Sequence, residues 1–126
     1  MDTRLQGAIL EEEVLEDLKK IDPDTTKTIN SGALRGDGDI HTSEFCIDTK
    51  HKALASSFIA TAQEMKESIK QGRKSGLEPL LIVKNRDRKK AAVMPYNTFI
   101  YMLQRIEQLE KELAFMKHAE ASHIDY

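Results

Sequence analysis

Disulfide chemistry is closed to this chain, because its 126 residues include a single cysteine, Cys46. A lone thiol forms no internal bridge, and the expected compartment is the cytoplasm. Long hydrophobic runs are missing too. No apolar stretch approaches the roughly 20 residues of a bilayer-crossing helix, and the N-terminus has no signal-peptide core. A membrane location is therefore not expected. Positive charge is not in excess, since 19 Lys and Arg stand against 21 Asp and Glu, a net charge of −2. That balance argues against a surface uniformly coated by nucleic acid. The four histidines, His41, His51, His118 and His123, follow no zinc-ligand spacing. Length sets a further bound: 126 residues build one domain with a real core and are too few for two.

What is present is the composition of an ordinary soluble protein, 40% hydrophobic and 32% charged. The charge is unevenly spread. Residues 11–17 hold Glu11, Glu12, Glu13, Glu16 and Asp17, whereas residues 84–90 hold Lys84, Arg86, Arg88, Lys89 and Lys90 against Asp87. Smaller basic groups are Lys50, His51 and Lys52, then Lys66, Lys70, Arg73 and Lys74. A patchy basic surface can hold a phosphate backbone despite a near-neutral total, although a merely solvated face looks the same.

Periodicity divides the chain into alternating elements. A helix is predicted over residues 3–20, where Leu10, Val14, Leu15 and Leu18 form one stripe of a 3.6-residue period and Pro23 follows. Glu11 falls on the inward side of that stripe, and a carboxylate pointing inward needs a partner. Thr25 to Ile29 is β-branched and suits an edge strand. Ser31 to Gly38 carries three glycines and reads as a loop. Asp39 to Thr42 and Phe45 to Lys50 read as two short strands joined by a tight reversal at Ser43-Glu44. A second helix is expected from about Ser56 to Lys74, burying Phe58, Ala62, Met65 and Ile69, with Gly72 and Gly76 ending it. Pro79 to Val83 is a continuous apolar run, hence a strand buried on both faces, and Lys90 to Met94 is the next strand. A last helix, over about residues 98–119, carries Phe99, Met102, Leu103, Ile106, Leu109, Leu113 and Met116 close to a heptad seam. Such a seam fits self-association, or docking along the chain's own sheet.

The chemistry-bearing stretch is the hairpin. Side chains alternate along a strand, so Asp48 and Lys50 face the same way, with Asp39 brought up beside them if the two pieces pair. Two carboxylates and an ammonium then converge. Magnesium is a hard cation that takes one or two carboxylates and leaves its other positions to water and phosphate oxygens. A lysine beside it can orient a water and offset charge on a phosphate. Cys46, inside the same strand, is read as a core side chain rather than a reactive thiol. A surface strand ending in solvated charges would carry the same letters.

Asp39 followed by Asp48-Thr49-Lys50 resembles the signature of the PD-(D/E)XK nuclease superfamily. Ser31-Gly32-Ala33 ahead of Gly38-Asp39-Ile40, and Gly7-Ala8 ahead of Glu11 and Glu13, are similar to the archaeal-type Holliday-junction resolvases and their phage-encoded relatives. The triplet's acid is Asp48 where Glu is more usual, and Gly38 stands where Pro would precede Asp39. The resemblance spans about residues 7–100. It implies an α/β fold with a restriction-endonuclease-like core, a central mixed sheet flanked by helices, followed here by a long C-terminal helix. It implies a Mg2+- or Mn2+-dependent endonuclease that hydrolyses DNA phosphodiesters, on branched DNA such as a Holliday junction or on another phage recombination or repair substrate. Glu11 (or Glu12), Asp39 and Asp48 would hold the metal, with Asp37 as a substitute, and Lys50 would position the attacking water. Ser31, Arg35, Lys52 and Ser57 would meet the nucleic acid, with Gln63 more remote. A homodimer and no small-molecule cofactor are expected. The other reading is a non-catalytic DNA-binding or assembly module on the same scaffold.

Overall fold

The computed structural model describes residues 2–28 and 39–124. The element order is α1 (Thr3–Lys19), β1 (Thr26–Lys27), β2 (Ile40–His41), β3 (Phe45–His51), α2 (Ala62–Ser75), β4 (Glu78–Lys84), β5 (Lys90–Val93) and α3 (Tyr96–Ile124). The fold class is α/β, built on one five-stranded mixed sheet in the order β1-β2-β3-β4-β5. Neighbouring pairs are antiparallel except β3 and β4, which run parallel from Phe45 opposite Glu78 to His51 opposite Lys84. A parallel pair needs a long crossover, and α2 provides it. The chain forms two compact units, Met1–Pro95 and Tyr96–Tyr126. Among the described residues, no helix is long and apolar enough to cross a membrane.

Helix α1 starts where Asp2 accepts a hydrogen bond from the Arg4 amide at 3.0 Å, satisfying one orphan donor of the first turn. Its stripe, Leu10, Val14 and Leu15, packs with Ile40 of β2 and Ile47 of β3 to make the core on one face of the sheet. Burying side chains of this kind stabilises by about 1.5–3 kcal/mol each.

Helix α2 differs from the sequence expectation in start and in buried face. It begins at Ala62, where Thr61 and Glu64 form a reciprocal capping box, and ends at Gly76 in the left-handed region at φ 70°. Phe58 precedes the helix and is exposed, as is Ala62, while Met65 and Ile69 are half-buried. The buried residues are Ser68 and Gly72. The reason is close approach: a Cβ at Gly72 would lie 2.8 Å from the Leu77 carbonyl oxygen and 3.1 Å from Pro79. Small side chains let the helix descend onto β4, and the larger ones are left on its flanks. Gly72 is therefore an interior contact and not a terminator. The last helix runs longer at both ends than expected; the edge strand covers Thr26–Lys27 among the described residues, Ile29 lying outside them.

Gly72→Ala should lower stability by about 1–3 kcal/mol, read as a fall in the urea midpoint. Gly7→Ala, which meets nothing within 4 Å in a helix interior, should raise it by about 0.5–1 kcal/mol.

Candidate metal centre on the hairpin

Strand alternation decides which side chains meet. In the β2–β3 pair, Ile40 stands opposite Ile47 and His41 opposite Cys46. The isoleucines face α1 and the core, so His41 and Cys46 face the other side of the sheet. Asp48 and Lys50 follow Cys46 at intervals of two, and Asp39 precedes His41 by two. That side is the one approached by α2, from which Ser75 comes beside the Cys46 sulfur and the charge of Glu64 acts on Asp48.

The carboxylates there are strained electrostatically. Burial pushes the Asp39 carboxyl above its ordinary range, and the neighbouring charge of Asp48 pushes the same way, only partly opposed by His41 and Lys50. Burial likewise raises Asp48, against the pull of Lys50. The Lys50 Nζ lies 3.3 Å from Asp48 Oδ2, and the Thr49 amide donates to Asp48 Oδ1 at 2.9 Å. Asp48 is thus aimed and held. Cys46 is 3% exposed, and burial followed by the Asp39 charge pushes its thiol up to about 11. It is a protonated core thiol beside the Asp39 carboxylate.

The remaining sequence candidates lie elsewhere. Glu11 is buried, as its place on the α1 stripe predicts, but it is paired with Lys27 at 2.7 Å. Lys27 stands opposite Ile40, so this pair lies on the α1 face and not with Asp39 and Asp48. The structure does not bring Glu11 into the hairpin cluster. Glu13 is ion-paired with Lys84 at 2.9 Å and Lys90 at 2.8 Å, and hydrogen bonds from Lys90 first and Lys84 second lower its pKa. Lys52 is held by Glu64 at 2.8 Å. Burial raises Glu64, yet the Lys52 and Thr61 hydrogen bonds outweigh it and leave its pKa lowered. Ser57 is exposed in the segment before α2, not on the helix. Gln63 bonds Glu67 at 3.1 Å. Ser31, Arg35 and Asp37 lie outside the described residues.

Two features were not anticipated. Asp39, His41 and Cys46 each offer one donor atom, and those atoms all lie within 4.8 Å of one another. The signal lies in the strand register, since histidine spacing alone does not reveal it. A basic cleft of about 420 Å³ at the ends of β3 and β4 is lined by His51, Lys84, Arg86 and Arg88, with Glu13 countering Lys84. Asn85 shapes its turn: its Oδ1 accepts from the Asp87 and Lys89 amides at 3.0 Å, and its Nδ2 donates to the Ser56 carbonyl at 2.8 Å.

Comparison with known proteins finds no matching family model, no matching curated protein and no matching solved structure.

Because burial raises Asp39 from its ordinary 3.8, the folded state prefers its protonated form. That preference is fully present below the ordinary value and is lost as pH rises through the raised one. Asp39→Asn should therefore stabilise the metal-free protein at pH 7 relative to wild type, with the gain disappearing toward pH 3. Urea midpoints across that range check the sign.

Proposed function

We propose that the chain is a metal-dependent DNA endonuclease of the PD-(D/E)XK type, hydrolysing phosphodiester bonds, with branched recombination or repair intermediates as the first substrates to test. The observation that supports this reading is the half-buried group of Asp39, Asp48 and Lys50 on one sheet face, with both carboxyls raised by burial. Two oxygen donors that resist ionisation together fit a hard divalent cation, Mg2+ or Mn2+, held by Asp39 and Asp48. Glu11 is left out of this set because Lys27 already engages it on the other face. When bound, such a cation polarises a phosphoryl oxygen and lowers the barrier to attack by water.

The chain's own residues supply the rest. Thr49 fixes the Asp48 carboxylate, and Asp48 in turn fixes the Lys50 ammonium. Lys50 then holds the attacking water by hydrogen bonding and offsets negative charge as it grows on the phosphate. Arg86 and Arg88 belong to the basic cleft on the α1 side, which Gln6, Ile9 and Glu13 also line, and they offer backbone-phosphate contacts away from the reacting bond. The rival reading, a DNA-binding module without catalysis, draws on Asp48 being one methylene shorter than the usual acid.

Self-association belongs to the same reading, since a symmetric enzyme suits paired cuts on a symmetric junction. On α3, Phe99, Met102, Ile106, Leu109, Leu113 and Met116 recur with gaps of three and four. The last four are 44–60% exposed. In heptad terms Arg105 and Glu112 occupy g positions, Glu110 and Lys117 e positions. A parallel, in-register pair sets Arg105 against Glu110 of the second copy and Glu112 against its Lys117, each contact occurring twice. Full antiparallel overlap provides only Arg105 against Glu112. The charge pattern therefore selects the parallel pair. The Glu107–Lys111 bridge at 2.9 Å falls on the outer positions and leaves the seam free of charge.

With Mg2+ and labelled branched and linear DNA, Lys50→Ala should lose on the order of 10²–10⁴-fold in cleavage rate. Intact DNA with both proteins would favour the binding module, and equal cutting by both would indict a contaminant. In sedimentation the wild type should run as a dimer, and Ile106→Lys with Leu113→Lys as a monomer. Leu109→Cys should cross-link two copies on oxidation only if the helices are parallel and in register.

A further inference from the structure

The hard-cation site shares one carboxylate with a second donor set of different chemistry. Asp39, His41 and Cys46 come from two paired strands, His41 directly opposite Cys46, and project to one face. An oxygen, a nitrogen and a sulfur thus surround one point, their atoms within 4.8 Å of one another. In a tetrahedral zinc site the ligand distances of about 2.0–2.3 Å place donor atoms about 3.3–3.8 Å apart. Side-chain rotation of the half-buried Asp39 and His41 can close that gap toward a fixed Cys46.

Three further facts suit a metal. The Cys46 sulfur and an Asp39 carboxylate oxygen lie within 4.8 Å of each other, close enough for one cation to meet both. Ser75 of α2 lies beside the same sulfur, its hydroxyl donating to the Gln71 carbonyl at 2.9 Å, so a polar group of the helix borders the cluster. Among the described residues the donor set has three protein groups, the number found in zinc sites that keep one position open.

We propose that Asp39, His41 and Cys46 form a site for a borderline divalent transition cation of the zinc class, and that its occupancy withdraws Asp39 from the magnesium-type site. Thiolate and imidazole donors select such cations over magnesium, which prefers oxygen alone. On binding, the Cys46 S–H bond breaks, its proton leaves to solvent, and the thiolate lone pair enters the metal–sulfur bond. The cation's two positive charges are met by the thiolate and the Asp39 carboxylate. Only the inhibitory consequence rests on the nuclease reading; the binding does not.

Cobalt(II) is the probe, titrated into the full chain without DNA. The expected result is a near-ultraviolet sulfur-to-cobalt charge-transfer band together with the visible bands of four-coordinate cobalt, displaced by zinc. Cys46→Ser should abolish the charge-transfer band, and His41→Gln should weaken cobalt binding by more than about tenfold, since even outer-shell losses reach that size. Asp48→Asn should keep the band, which separates this site from the magnesium-type one. Should Cys46→Ser fail to fold, His41→Gln carries the decision alone. No charge-transfer band in wild type, a band that survives Cys46→Ser, or unchanged affinity in His41→Gln overturns the proposal. With magnesium present, zinc at the cobalt-calibrated affinity should suppress DNA cleavage in wild type. Cobalt binding without that suppression would retain the site and remove its link to catalysis.

Discussion

The antiparallel register of β2 and β3 is the constraint from which the rest follows. With Ile40 opposite Ile47, one face of the hairpin is committed to the α1 core. A slip of one residue would turn Asp48 and Lys50 into that core and the isoleucines out of it. Burial of two isoleucines with Leu10, Val14 and Leu15 outweighs any preference the polar residues have. The charged face therefore exists because the apolar face fixes it. Helix α2 then descends on the charged side through Ser68 and Gly72, close enough for Ser75 and Glu64 to act on Cys46 and Asp48. Partial cover of this kind raises the carboxyls without sealing them from solvent.

Charge on the two faces is handled in opposite ways. On the α1 face, Glu11 with Lys27 and Glu13 with Lys84 and Lys90 are matched pairs. On the α2 side, Asp39 and Asp48 are raised in pKa, and Lys50 offsets only part of their combined charge. Matched pairs anchor a helix to a sheet, whereas two carboxyls raised by burial cost stability at neutral pH. Carboxyls perturbed by burial and a neighbouring charge are the physical mark of a candidate functional site.

Much of this was legible in the amino-acid pattern. The alternation in Phe45-Cys46-Ile47-Asp48-Thr49-Lys50 identifies the strand and the shared direction of Asp48 and Lys50, and the stripe of α1 predicts that Glu11 is buried. The identity of its partner was not legible, because Lys27 reaches Glu11 through a strand register that no periodicity reports. The buried face of α2 escaped for another reason. Hydrophobicity points to Met65 and Ile69, while the contact is made by Ser68 and Gly72, where small size matters more than polarity. Glu64 and the His41–Cys46 juxtaposition likewise depend on distances across the sheet that spacing along the chain does not encode. The repeat of α3 is a one-dimensional signal and was readable along the chain, whereas the helix ends, at Tyr96 and Ile124, lie beyond those the repeat indicated.

The central claim is that Asp39 and Asp48 share a divalent cation beside Lys50. A crystal grown with Mn2+ and measured at the manganese absorption edge tests it most directly. The account predicts an anomalous peak bridging the two carboxylates at metal–oxygen distances of about 2.0–2.6 Å, with the Lys50 ammonium alongside. Ordered manganese at Glu11 or at the surface, with none between Asp39 and Asp48, would contradict it.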